Sequence, residues 1–341
     1  MARGPTMSDI ARRAGVSRVA VSYALNGRAG VSPELRERIL ALAREMGFRP
    51  SGPAMAMHGA AAKAIGLALR RSPTALSVEV FPRLLISGIQ TELSAHGFGL
   101  ALQFVTGPDA EIAVYRRWSG ERRVDGVLVC DLAVDDPRIA VLEDLRLPAV
   151  VVGGPDGTGG LTSLWSDDAA AVRETVGYLA SLGHRRAALV SGPAGLAHTQ
   201  RRTAAFQAAC RSAGVDGSVL ITDYTGEAGA QATRRILGSA RRPSAIVYDN
   251  DVMAVAGLGV AMEMGIAVPA ALSIVAGEDS ALCQVVRPAL TVLRRDVTAH
   301  GQRAAQLLFG AMAGSEPQSV QGERAALVTR GSTGPPPRQS G

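Results

Sequence analysis

A small all-α head followed by a larger α/β body in two lobes is the fold class that the sequence predicts. Three observations predict it. Positive charge is concentrated in the first 58 residues, two short helical patterns there are separated by a glycine, and from Ala64 onward short apolar runs alternate with amphipathic helical stretches. The 341 residues also exceed one ordinary domain, at about 150 residues each. Apolar residues make up 47% and charged residues 19%, a globular balance with no uninterrupted run of about 18 apolar residues. The opening MARGPTMSDIARR carries charge where a secretory signal needs an apolar core. A cytoplasmic protein with no membrane partner is expected.

The head accounts for the charge. Residues 1 to 58 hold nine arginines against four acids, +5 of the net +6. Such a footprint suits nucleic acid, where arginines displace condensed counterions, although a merely solvated face is the alternative on charge alone. Cys130, Cys210 and Cys283 stand far apart, without a CxxC pair or a histidine at ligand spacing, and read as small buried residues in a reducing compartment. Neither a metal nor a cofactor is expected.

Within the head, Thr6 and Asp9 fit a capping box, so a helix starts at Met7 and runs to about Ala14, where Gly15 breaks it. Ser17 is a fresh N-cap. The helix after it places Val21, Ala24 and Leu25 on one stripe and Arg18, Val19, Ser22, Tyr23 and Asn26 on the opposite face. The apolar stripe can pack on Ile10 and Ala14, leaving a polar face led by an arginine, as a recognition helix is presented to a major groove. A third helix follows Ser32, with Pro33 at its first position, Leu35, Ile39, Leu42 and Met46 at helical spacing, and Gly47 at its end. Three short helices with a tight glycine turn form a helix-turn-helix unit.

The stretches TMSDIARRAGVSRVAVSYALNG and VSPELRERILALAREMGFRPS resemble the head of the lactose/galactose-repressor (LacI/GalR) family of bacterial transcription regulators. The resemblance implies that Arg18, Val19 and Tyr23 reach base edges, while Ser17, Ser22 and Asn26 touch phosphates or support the helix; Thr6 belongs to the same interface. Tyr23 stands where many members have arginine. The resemblance also makes FRPSGPAMAMHG a hinge, at 50–62, that forms a helix on DNA and enters the minor groove, with Ala54 and Met57 at the DNA and Met57 as the wedge. Gly52 and Pro53 are poor helix-interior residues, and a flexible linker is the competing reading.

In the body, candidate strands are 64–70, 125–130, 149–154, 187–191, 244–248 and 272–277. Continuous apolar strands alternating with helices indicate parallel sheets covered on both faces, with ligands at the carboxyl ends of the strands. The resemblance continues through DGVLV, LPAVVVGG, YLASLGHRRAALVSGP, RRTAAFQAA, YDNDVMAVAGLGVAMEMGIAVPAALSIVAGED, RPALTVLRRD and LVTRGST. It implies a two-lobed, periplasmic-binding-protein-like effector-binding and dimerisation domain over 63–335. The N-lobe would take about 63–162 and 294–323 and the C-lobe about 163–293 and 324–335, with 336–341 a disordered tail and the head at 1–49. By the same likeness Arg202, Asn250 and Asp279 match effector-pocket positions, with Arg83 beside them. Phe81, Trp165 and Tyr224 are candidates for an apolar wall. Ordinary packing competes for Trp165 and Tyr224, and a helix cap for Asp279.

His184 reads as a helix-end residue. GGPDGTGG at 153–160 lacks the GK[ST] of a P-loop and reads as a loop, and no HExxH or GxSxG occurs, so no enzyme is expected. The expected function is a homodimeric, effector-responsive repressor with double-stranded operator DNA and a small molecule, a sugar or related metabolite, as partners. The tail offers no leucine heptads for a tetramerising coiled coil. Two alternatives remain: a regulator governed by a protein partner, and a small-molecule binding protein without operator function.

Overall fold

The computed structural model describes residues 5–25, 28–48, 61–70 and 79–337. The hinge positions Gly52, Pro53, Ala54 and Met57, and Asn26 of the recognition face, lie outside the described residues. The chain divides into two compact units, 1–62 and 63–341.

The first unit holds α1 (Met7–Ala14), α2 (Arg18–Leu25) and α3 (Pro33–Glu45). At the start of α1, the Thr6 hydroxyl accepts from the Asp9 backbone N–H at 3.3 Å while the Asp9 carboxylate accepts from the Thr6 N–H at 2.9 Å. The Thr6 hydroxyl, donating to the Asp9 carboxylate at 2.6 Å, and then the Thr6 N–H hold the Asp9 carboxyl below its ordinary range. Gly15, at φ +70°, takes the left-handed turn that ends α1, where a side chain would be strained. Ser17 accepts from Ala20 N–H at 3.1 Å and Ser32 from Leu35 N–H at 3.3 Å, so both serines cap the helices that follow. Ile10, Val21 and Ile39 are fully buried at the centre, each contributing about 1.5–3 kcal/mol. The Arg13–Glu45 pair at 2.6 Å and an Arg38 bond to the Ala14 carbonyl at 2.9 Å tie α3 to α1.

The second unit holds two six-stranded sheets. The first is built from β1 (Ala64–Leu69), β2 (Gly99–Phe104), β3 (Gly126–Val129), β4 (Ala149–Val152), β5 (Thr162–Trp165) and β11 (Ser319–Gln321), in the order β11-β5-β4-β3-β1-β2, every pair parallel. Helices α4 (Val80–Ala95), α5 (Pro108–Gly120), α6 (Pro137–Leu145) and α12 (Val297–Met312) cover it. The second sheet has the order β12-β10-β9-β8-β6-β7. Its strands are β6 (Arg186–Ser191), β7 (Asp216–Ile221), β8 (Ala245–Tyr248), β9 (Ser273–Ala276), β10 (Thr291–Arg294) and β12 (Ala326–Val328), and only the β10–β12 pair is antiparallel. Around it lie α7 (Asp168–Ser181), α8 (Ala197–Ala213), α9 (Gly226–Leu237), α10 (Asp251–Glu263) and α11 (Ala281–Val285).

The six expected strands are present, five of them trimmed to the residues that pair and β6 lengthened by Arg186. Two expectations are corrected. The lobe boundary does not fall at 162/163: all of β5 pairs within the first sheet, and Arg294 ends β10 of the second, so the crossings come after Trp165, after Arg294 and after Gln321. His184 follows the end of α7, where its N–H donates to the Leu179 carbonyl at 3.1 Å. It is fully buried beside Ser244, Ser273 and the Gly334 carbonyl, at 2.8, 3.0 and 3.0 Å, and burial lowers its pKa. It holds Gly334 against the C-lobe. Pro336 and Pro337, expected in a disordered tail, belong to the described residues, with Pro336 packed near Gly183.

α4 and α12 approach closely because glycines face each other's backbone. A Cβ on Gly88 would lie 2.0 Å from the Thr298 carbonyl oxygen, and one on Gly301 2.3 Å from that of Leu85. Across the cleft mouth the lobes also bond through their backbones: Ala197 N–H donates to Leu132 O at 2.8 Å, Val134 N–H donates to Gly195 O at 3.3 Å, and Ala133 and Leu196 form an antiparallel bridge.

Candidate functional site

The first site is the outward face of α2. Arg18 and Val19 are exposed at its first turn, Val19 at 59%, while Val21 and Ala24 on the other side are buried. An exposed valine beside an exposed arginine at a helix start offers a methyl surface and a bidentate donor, the two features that read a thymine and a guanine. Ser22 and Tyr23 are half-buried, and Thr6 is exposed. The Tyr23 ring lies over Gly30, within 3.1 Å of where a Cβ there would sit, so its aim is fixed by the turn that follows α2. Ser17 caps α2 and Thr6 takes part in the capping box of α1.

The second site is the cleft between the two sheets. It is lined by the carboxyl ends of β1, β3, β4 and β5 from one lobe and by the residues that follow β8 and β9 from the other. Phe81, Trp165, Arg202, Tyr224 and Asn250 line it. Asp279 and Arg83 do not. Asp279 is turned away and held by Arg330, at 2.7 Å, and Arg294, at 2.8 Å; burial opposes its charge, but these two arginines keep its carboxyl below the ordinary range. Glu278, one residue earlier, is the acid of GED that lines the cleft. Arg83 folds back to donate to the Glu79 carbonyl at 3.1 Å.

Asp168 sits at the centre, in the first turn of α7. It takes Arg202 at 2.9 Å on one oxygen and Arg295, from the crossing after β10, at 3.0 Å on the other. Burial alone would raise its pKa, but the two arginines hold it well below the carboxylate range. One side chain thereby joins α7, α8 and a lobe crossing. Arg295 also lies over the Phe81 ring at 5.6 Å. Asp249 accepts from Ser191 Oγ at 2.7 Å and Gly192 N–H at 3.0 Å.

Asn250 caps α10, accepting from Met253 N–H at 2.9 Å, and donates to the Tyr224 carbonyl at 2.9 Å, so its amide orients Tyr224, which sits at φ +72°. The Tyr224 hydroxyl meets His198 Nε2 at 2.9 Å and Thr199 at 3.0 Å, and its ring stacks on His198 and occupies the space that a Cβ on Gly192 would take. Trp165 Nε1 donates to Ser319 at 3.0 Å. Sequence reasoning missed Asp168, His198, Glu278, Arg295 and His300 on this wall. His198 and His300 are both held down to about 4, chiefly by burial and then by a neighbouring arginine, so they are neutral near pH 7.

A basic helix-turn-helix unit followed by a two-lobed α/β unit with a polar cleft defines a DNA-binding regulator with a periplasmic-binding-protein-like domain. Residues 6–51 match the family described as bacterial regulatory proteins, lacI family, and 176–333 match the periplasmic binding protein-like domain. The chain is 30% identical to the HTH-type transcriptional regulator AglR of Rhizobium meliloti, over 98% of this chain and 96% of that one. It is 28% identical to the HTH-type transcriptional repressor PurR of Escherichia coli, over 93% of each. A solved structure of the transcriptional regulator CelR in complex with cellobiose is 27% identical, with a TM-score of 0.74 over 96% of this chain and 99% of that one. The chain belongs to the LacI family of bacterial transcription regulators.

Proposed function

We propose that the protein is a homodimeric repressor that reads a pseudo-palindromic operator through α2 and is controlled by a small molecule in the interlobe cleft. The observation that carries the operator reading is the exposed Arg18–Val19 pair on the first turn of a helix whose opposite face is buried. One head buries too little for selective binding, and two related by a twofold axis read two half-sites. Exposed Leu282 and Val285 on α11, a helix packed against α10, supply apolar surface that suits pairing of two copies. Repression is supported by the likeness to PurR, and a sugar-like ligand by the likeness to CelR.

The switch is a change in lobe angle at the three crossings, which alters the separation of the two heads. A ligand that prefers one angle by about 1–3 kcal/mol alters operator affinity some 5–150-fold, and DNA alters ligand affinity by the same factor. Selection of bound oligonucleotides, followed by gel shifts with and without a metabolite extract, tests both halves. Recovery of an inverted repeat that the extract releases or tightens is the expected result. A protein that stays monomeric by light scattering and selects no repeat overturns the operator reading.

A further inference from the structure

We propose that the outer edge of β7 pairs, antiparallel and about a twofold axis, with β7 of a second copy of this chain, so that homodimers join into tetramers. This inference rests on the homodimer reading and adds a second contact on another surface. Among the described residues, β7 stands at the end of its sheet and pairs only with β6. α11, which carries Leu282 and Val285, follows β9, three strands away.

The edge is open along its length. Asp216 N–H donates to the Arg185 carbonyl and Thr222 N–H to that of Ser191, both at 2.8 Å, so alternate residues turn their backbone inward to β6. The backbone groups of Gly217, Val219 and Ile221 therefore point outward. Free edges are ordinarily guarded by a lysine, a proline, a bulge or a very short strand. β7, DGSVLI, has six residues in unbroken register with β6, no lysine or proline, and an isoleucine, Ile221, that is 51% exposed. Beside it, the face toward α9 is a groove of about 690 Å³ lined by Ser218, Leu220, Gln231 and Arg235 among others.

Charge favours a second copy as the occupant. Arg186, Arg235 and Arg241 against Asp216 make the first end of β7 basic; of the three, only Arg241 is in an ion pair among the described residues, with Asp216 at 3.0 Å. Asp223 and Glu227 follow the other end, each bonded to a neutral side chain, Thr225 at 2.6 Å and Gln231 at 3.3 Å. An isologous contact requires a surface complementary to itself. A twofold through Val219 sets Gly217 against Ile221 of the second copy and lays each basic end on the other's acidic end. It also brings Leu220 opposite Ser218 on the groove face, because directly opposed residues of an antiparallel pair share a face. An acidic foreign strand matches one end only.

The test is sedimentation velocity on the full-length protein over a concentration series, on wild type, Ile221→Lys and Val219→Pro. Ile221→Lys puts a charge on the edge, and Val219→Pro removes an outward N–H that β6 does not use. Tetramers in wild type whose dissociation constant rises about tenfold or more in both variants and with added salt, while circular dichroism stays unchanged, bear the proposal out. Ile221→Lys, at an exposed position, decides alone if the proline variant unfolds. A wild type that stops at dimers overturns the β7 pairing and leaves the homodimer reading standing; one that stays monomeric overturns both. Tetramers that Ile221→Lys leaves intact overturn it as well, since another surface then builds them. A dimer that takes up a hexaglutamate peptide, and loses it in Arg235→Glu, gives the edge to a foreign acidic strand and overturns self-pairing.

Discussion

Arg18, Glu278 and Asp279 show how single side chains divide the work. Arg18→Ala removes a bidentate donor at one base position, so it should cost about 1–3 kcal/mol against the preferred base and leave affinity for random DNA within a few-fold. Competition between operator variants in a gel measures this, and equal loss on specific and random DNA would reassign Arg18 to a phosphate. Asp279→Ala takes the carboxylate from Arg294 and leaves Arg330 only the Leu290 carbonyl, and the Asp279 side chain is 8% exposed, so the change should destabilise the C-lobe by roughly 2–4 kcal/mol in denaturant unfolding without contacting the ligand.

The pH dependence of the two cleft acids has opposite signs. Asp168 has a lowered pKa, so its stabilisation is present above about pH 4 and is lost as pH falls further. Glu278 has a raised pKa, so its contribution is intact below about 4.5 and is lost as pH rises toward 8. Glu278→Gln should therefore flatten thermal stability between pH 5 and 8, read by scanning calorimetry, and an unchanged slope would remove Glu278 as its source. Within GED, the acid on the cleft wall was legible in type but not in register. Successive residues of an extended chain face opposite sides, so a slip of one exchanges Glu278 for Asp279.

At the scale of elements, the apolar runs marked six inner strands and missed the inner β5 and β10, whose four residues include Thr and Ser or Thr and Arg, as well as the strands at the margins. β1, β3, β4, β6, β8 and β9 lie inside the sheets and are buried on both faces, which writes a continuous apolar signal. β2 and β7 are edge strands with exposed positions, and β11 and β12 are three residues long, so none of them carries that signal. The capping serines and Gly15 were legible because helix ends need particular side chains. The α4–α12 contact was not, since a glycine within a helix gives no indication of what it faces. Gly88→Ala should push these helices apart and cost at least about 1–3 kcal/mol, measured as a shift of the urea midpoint; a neutral result would mean that α12 slides without cost.

Over the whole molecule, two lobes joined by three crossings on one side are bonded across the cleft mouth on the other. The bond from Ala197 N–H to Leu132 O can be deleted almost alone, because Ala197 is the first residue of α8, where proline is tolerated, and Leu196 before it is already extended. Ala197→Pro should open the lobes, seen as a larger radius of gyration in solution scattering and faster ligand exchange, with the operator sequence preference unchanged. An identical scattering curve would show that the crossings alone fix the angle. The two-unit plan was legible because charge and periodicity change together near residue 60. The cleft-mouth bonds are made by backbone groups and so left no trace in side-chain pattern.

The meeting of His184, Ser273 and Gly334 gives the stretch around residue 334 a structural duty in the C-lobe. A tag fused after Pro337 hangs from an anchored base. Trimming by a carboxypeptidase back to Thr333 strips the carbonyl from a buried imidazole and from Ser273, and the lobe loosens from its rear.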